Sequence, residues 1–192
     1  MRLMLVSMGL IFAVALALGG RPGNLSAVKI KWPGLALVGF ALQFVAGPGT
    51  IIPLMCLYLS FVFLTIFALA NIAVAGFVVI LLGIGLNFTV IGLNGGMPVD
   101  QRALVASGQA DTLSGLIENP YPKHHLASDH DLVVFLGDVI PVPPPVGQAI
   151  SIGDVFTYAG VGVVVVIGMR APTKRRRAPT SDSSVGAEHV RT

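Results

Sequence analysis

The chain has 192 residues, 54% of them hydrophobic, with a mean hydropathy of +0.84 and a formal net charge of +3. A water-soluble domain of this length could hardly cover that apolar fraction with polar surface, so part of its solvent must be lipid. A single cysteine, Cys56, excludes an intrachain disulfide framework and a thiolate metal site, and its expected role is apolar packing.

Arg2 precedes the first apolar stretch, Leu3 to Leu18, which ends at Gly19-Gly20 and predicts helix 1. A polar stretch with Arg21, Lys29 and Lys31 follows, and Pro33 opens a short helix 2, Gly34 to Ala46. Gly47-Pro48-Gly49 should break it, because proline cannot donate to the helix ladder and the glycines allow a tight reversal. No Asp, Glu, Lys, Arg or His appears from Trp32 to Val99, a run far longer than the roughly 20 residues one span needs. Helix 3 is therefore expected at Ile51 to Ala70 and helix 4 at Ile72 to Leu93, with the turn near Asn71 set only by length. Helix 5 is expected at Val155 to Met169.

The expected fold class is all-α, a polytopic helical membrane bundle of about five transmembrane helices with a small extracytoplasmic cap. Residues 1–94 form a four-helix transmembrane region, 95–151 the cap, 152–169 the fifth transmembrane helix and 170–192 a disordered basic cytoplasmic tail. Lys and Arg stay on the cytoplasmic side of short loops. Arg170, Lys174, Arg175, Arg176 and Arg177 place the tail inside, and alternation then places the Arg21 to Lys31 loop inside too. The segment between helices 4 and 5 falls outside, where Arg102 and Lys123 face Asp100, Asp111, Glu118, Asp129, Asp131, Asp138 and Asp154. The expected location is the cell membrane, multi-pass, with the N-terminus outside. Arg2 and Ala15-Leu16-Ala17 imitate a signal peptide, but cleavage would carry Arg21, Lys29 and Lys31 to the wrong side.

Gly76, Gly83, Asn87 and Asn94 recur at steps of seven, four and seven and share one stripe of helix 4. Small residues there permit close helix approach. Asn87 needs a partner in hydrocarbon, and Gln43 is the candidate considered. No ionisable residue interrupts the charge-free spans, which argues for packing over a proton or ion pathway.

In the outer segment, Asp100 is expected to cap a short helix through about Val105, closed near Gly108. Asp111 is expected to cap another, Thr112 to Glu118, stopped by Asn119-Pro120. Leu132 to Phe135 is an apolar run too short to span a bilayer, read as a strand or an interfacial segment. Pro141, Pro143, Pro144 and Pro145 predict a stiff, extended approach to helix 5. His124, His125, Asp129, His130 and Asp131 carry ligand types that suit a divalent ion, but their spacing fits no standard zinc pattern and favours a solvated loop. Asp154, at the start of helix 5, is expected to cap its free amides.

The phrases Asn94-Gly95-Gly96-Met97-Pro98-Val99, Lys123-His124, Leu136-Gly137-Asp138-Val139-Ile140-Pro141 and Ser151-Ile152-Gly153-Asp154-Val155 resemble a bacterial membrane family known as domain of unknown function 5317. The resemblance brings no activity, substrate or cofactor, and it points to Asn94, Gly95, Gly96, Pro98, His124, Asp138 and Asp154 as positions to test. A fainter similarity is to lipoprotein signal peptidase, whose aspartate pair lies comparably to Asp138 and Asp154 near the outer membrane face. It departs in span number and lacks both the Asp-Phe and the Asn-x-Ala-Asp-Ser phrases. The expectation is a non-enzymatic membrane protein that binds a partner protein or small ligand through its cap, with no cofactor and no nucleic-acid partner. Its alternatives are an aspartic peptidase-like enzyme using Asp138 and Asp154, and a metal site in the histidine loop.

Overall fold

The computed structural model describes residues 2–45, 51–118 and 123–171. The expected break at Gly47-Pro48-Gly49, the stop at Asn119-Pro120 and the tail beyond Ala171 lie outside the described residues. Five apolar helices form the bundle: α1 (Arg2–Ala17), α2 (Pro33–Leu42), α3 (Ile51–Ala70), α4 (Phe77–Asn94) and α7 (Ile152–Arg170), with short α5 (Gln101–Ala106) and α6 (Leu113–Glu118) between the last two. Three of them, α3, α4 and α7, are long and apolar enough to cross a membrane. At 1.5 Å per residue they reach about 27–30 Å, the thickness of a hydrocarbon core. The shorter α1 and α2 are apolar throughout. Apolar side chains face outward all round, Leu5, Leu37 and Ile51 among them at 67–71% exposure, and only lipid solvates such a surface without penalty.

Side-chain clamps fix which helix ends meet. Arg21 N–H and Asn24 Nδ2 both donate to Met169 O at 2.8 Å, so α1 and α7 end side by side. Buried Asn71 accepts from Lys31 N at 2.7 Å and donates to the Lys31 and Phe67 carbonyls at 2.9 Å, tying the start of α2 to the end of α3. Lys123 Nζ donates to Gln43 O and, at 2.8 Å, to Val45 O, tying the end of α2 to the cap. Successive long helices therefore alternate in direction, and the cap sits where α4 ends and α7 begins.

Several expected boundaries are corrected. Helix 4 starts at Phe77 rather than Ile72, because Asn71 is spent on its clamp and Gly76, at φ +99°, turns the chain into the helix. Helix 2 ends at Leu42 rather than Ala46. The last helix starts at Ile152 rather than Val155, and its N-cap is Ser151, with Asp154 as the third helical residue. Asp111 lies inside a 3-10 turn, Ala110–Thr112, and caps no helix, whereas Asp100 accepts from Ala103 N at 2.8 Å as expected.

The cap is not all helical, which corrects an all-α reading in detail. Strand β1 (Met97–Val99) pairs in parallel with β2 (His124–Leu126), and β3 (Ile140–Val142) pairs antiparallel with β4 (Gln148–Ile150). The proline run therefore doubles back as a hairpin instead of leading straight to α7. Leu132 and Phe135 flank or join a 3-10 turn, Val134–Leu136, and not a strand.

The packing of α4 on α7 rests on interlocked glycines. A Cβ on Gly83 would collide with Thr157 Oγ1 and the Gly153 carbonyl, and a Cβ on Gly160 would lie 2.7 Å from Ile80 N and 2.8 Å from Gly76 O. The two backbones touch at both places, one pair of glycines seven residues from the other on each helix. The expected small-residue stripe is thus a contact surface.

Candidate functional site

Ser151, Asp154 and Asn87 form a closed polar knot where α7 begins. Ser151 Oγ accepts from Asp154 N at 2.9 Å and donates to Asn87 Oδ1 at 2.8 Å, while Asp154 Oδ2 accepts from Ser151 N at 3.3 Å. This is a capping box, and Asn87 closes it by donating from Nδ2 to Asp154 Oδ1 at 2.8 Å. Asn87 is therefore partnered by Ser151 and Asp154 and not by Gln43, whose carbonyl takes the Lys123 ammonium. Ser151 was missed as a site residue. The Ser151-x-x-Asp154 spacing is itself a capping-box signal and could have found it.

Asp138 is set by backbone pairing. Its N–H donates to Pro98 O at 2.9 Å and its carbonyl accepts from Asp100 N at 3.1 Å, so it lies along the edge of β1 opposite β2. Gly137 makes this approach possible, because a Cβ there would strike the Pro98 carbonyl. Pro98, Gly137 and Asp138 belong to one local device.

The Asp138 carboxyl is 8% exposed at the residue level, and among the described residues no hydrogen bond reaches its oxygens. The nearest titratable neighbour is His124, with Nε2 3.7 Å from Oδ2, beyond hydrogen-bond reach. Burial first, and the charge of Asp154 second, push the Asp138 carboxyl well above the usual carboxylate range. Desolvation lowers the His124 imidazole below its ordinary range, against the opposing field of Asp154, so His124, Asp138 and Asp154 form one electrostatic group at the junction of cap and bundle.

The remaining histidine-loop residues are organised differently. His125 Nε2 lies 2.8 Å from Asp131 Oδ1, and Asp131 Oδ2 accepts from Ser128 N at 2.7 Å and Ser128 Oγ at 2.9 Å. Burial acts to raise the Asp131 carboxyl, but the His125 and Ser128 hydrogen bonds outweigh it and hold Asp131 below the usual range. Among the described residues no three His, Cys, Asp or Glu gather around a metal-sized space, and Asp129 and His130 point into solvent. The loop is braced by the pair His125 and Asp131.

Asn94 and its glycines have structural partners. Asn94 accepts from Leu132 N at 2.7 Å and donates to Leu132 O at 2.9 Å, holding the cap to the end of α4. Gly95, at φ +68°, closes α4, and Gly96 N–H donates to Ile91 O at 3.2 Å.

A protein of Thermotoga maritima, described only as an uncharacterized protein, is 32% identical over 175 residues, covering 88% of this chain and 96% of its own length. No solved structure matches the chain. Residues 27–166, which include the long helices α3 and α4, nearly the whole of α7 and the entire cap with Asp138, match the family of unknown function DUF5317, and the chain belongs to that family.

Proposed function

We propose that this is a multi-pass protein of the bacterial cell membrane, N-terminus outside and C-terminus cytoplasmic, whose outward cap receives a cationic group of a small ligand or partner protein. All five apolar helices cross or enter the bilayer in this reading. Supporting it, Arg21, Lys29, Lys31 and Arg170 all lie at the end of the bundle away from the cap. The cap side carries the seven acids.

The observation that carries the binding assignment is Asp138, a largely buried carboxyl with no hydrogen-bond donor among the described residues, held beside half-exposed His124. The Asp138 side chain keeps 11% exposure, so an incoming donor can reach a carboxyl that no described group satisfies. An ammonium or guanidinium would pair with Asp138 and offset the repulsion from Asp154. Tertiary alkylammonium ions, which cannot form a stable amide with an activated carboxyl, should accordingly shield Asp138, and no other carboxyl, from carboxyl-directed reagents.

The peptidase-like reading has one observation in its favour, the electrostatic coupling of Asp138 to Asp154. Against it, both Asp154 oxygens are already engaged, by Asn87 and by Ser151. Binding is the better account.

Orientation is tested by cysteine accessibility in a Cys56→Ala background. Ser114→Cys on exposed α6 should react with an impermeant thiol reagent in intact cells, and Ser26→Cys, in the exposed turn before α2, only after permeabilisation. Labelling of Ser26→Cys in intact cells would reverse the assignment.

A further inference from the structure

The surface between α1 and α7 carries two adjoining grooves of opposite character. One, about 400 Å³, is lined by Leu10, Ile11, Val14, Gly162, Val163 and Ile167, among others, and is apolar. The other, about 370 Å³, is polar and includes Leu18, Arg21, Met169 and Arg170. Because α1 and α7 run in the same direction with their ends joined at Met169, the stripes Leu10-Val14-Leu18 and Val163-Ile167-Arg170 advance together. The apolar groove leads into the polar one at the end of the bundle away from the cap.

Arg21 and Arg170 are exposed, and neither guanidinium has an ion-pair partner among the described residues. Two helix C-termini meet here, and their free carbonyls would repel an anion. Most of those carbonyls are occupied, all but the last of each helix, Ala17 and Arg170: Val14 O by Leu18 N, Ala15 O by Gly20 N, Leu16 O by Gly19 N, Ile167 O by Ala171 N, and Met169 O by Arg21 N and Asn24 Nδ2. What faces the polar groove is then mainly positive charge at the end of an apolar channel. We infer that this seam is a binding site for an anionic phospholipid, its phosphate between Arg21 and Arg170 and one acyl chain along the groove past Gly162. The inference rests on the membrane reading and is independent of the Asp138 site. In the orientation proposed above, the lipid comes from the cytoplasmic leaflet. Basic pockets between helices on that side are suited to lipid head groups.

The test is native mass spectrometry of the full chain in detergent, with phosphatidylglycerol or phosphatidylcholine of equal chain length added. The wild type should retain one phosphatidylglycerol in preference to phosphatidylcholine. Arg21→Gln with Arg170→Gln should lower that retention by roughly 25-fold, about fivefold for each cation removed, with the thermal midpoint unchanged. Gly162→Leu should also lower it, by filling the channel where a Cβ already lies 3.6 Å from Ile11. Equal retention of the two lipids, or unchanged retention in the arginine variant, would overturn the site. Displacement of the lipid by inorganic phosphate would reduce it to an ion site, unchanged retention in Gly162→Leu would remove the acyl-chain arm, and a lipid-free dimer would mean that a second copy covers the seam.

Discussion

Gly83→Ala should sharply lower the thermal unfolding midpoint of the detergent-solubilised protein, whereas Gly85→Ala, two residues away on the same helix, should leave it unchanged or raise it. On its own propensity, each replacement favours a helix by up to about 1 kcal/mol. At Gly85 nothing lies within 4 Å of the added Cβ, so that gain is free to appear. At Gly83 the Cβ meets the Gly153 carbonyl and comes within 2.7 Å of Thr157 N. Backbone cannot rotate away, so α4 and α7 must separate along their whole contact. Overpacking of this kind costs about 1–3 kcal/mol, and contact with backbone places Gly83 at the upper end. Equal midpoints for the two variants would mean that the glycine contact between these helices does not hold the bundle together.

Asn87→Leu should be the most damaging polar-to-apolar change in the membrane region. Leucine fills a similar volume but leaves Asp154 Oδ1 without a donor and Ser151 Oγ without an acceptor. Each buried group left unpaired costs roughly 1–3 kcal/mol, with the charged carboxylate at the higher end. The start of α7 should loosen with it, seen as faster amide exchange at Ile152 to Val155. Wild-type stability and exchange would show that the knot is not closed through Asn87.

The sequence made the bundle legible for one physical reason: lipid imposes length. Ile51–Ala70 was found to the residue, its start from the Gly47-Pro48-Gly49 phrase and its end from span length alone, and the position of Ser151 to Asp154 at the mouth of the last helix was within reach because the composition changes there. Boundaries inside continuous apolar sequence were not. The turn at Asn71 to Gly76 is made by a side-chain clamp to Lys31, forty residues away, and by one positive φ, neither of which leaves a trace in hydropathy. The cap was legible in its helix cap at Asp100 and in its acidic balance. It was illegible in its strands, because β1 to β4 are three residues each and are held by pairing between distant segments. For the site, Asp138 and His124 stood out by residue type, but the absence of a donor at Asp138 is a property of the assembled surroundings. Asn87 was expected to find an amide and finds a carboxylate and a hydroxyl, since its partners come from the far end of the chain.

The central claim is that Asp138 is a carboxyl with no hydrogen-bond donor among the described residues, held above the usual range and within reach of a ligand, and carboxyl labelling tests it most directly. Dicyclohexylcarbodiimide reacts with protonated carboxyls in apolar surroundings, so native membranes treated across a pH series should carry the adduct on Asp138, located by peptide mass, to higher pH than on exposed Asp129. Because the Asp138 carboxyl is held above the usual range, labelling should persist at pH values where ordinary carboxylates are ionised. It should then fall as pH rises through the elevated value, since deprotonation removes the reactive form. A tertiary alkylammonium ion, which keeps one N–H donor but forms no amide with the activated carboxyl, added beforehand at constant ionic strength should suppress it by pairing with the carboxylate. Labelling of Asp138 no faster than Asp129, or labelling that amines leave untouched, would contradict the account.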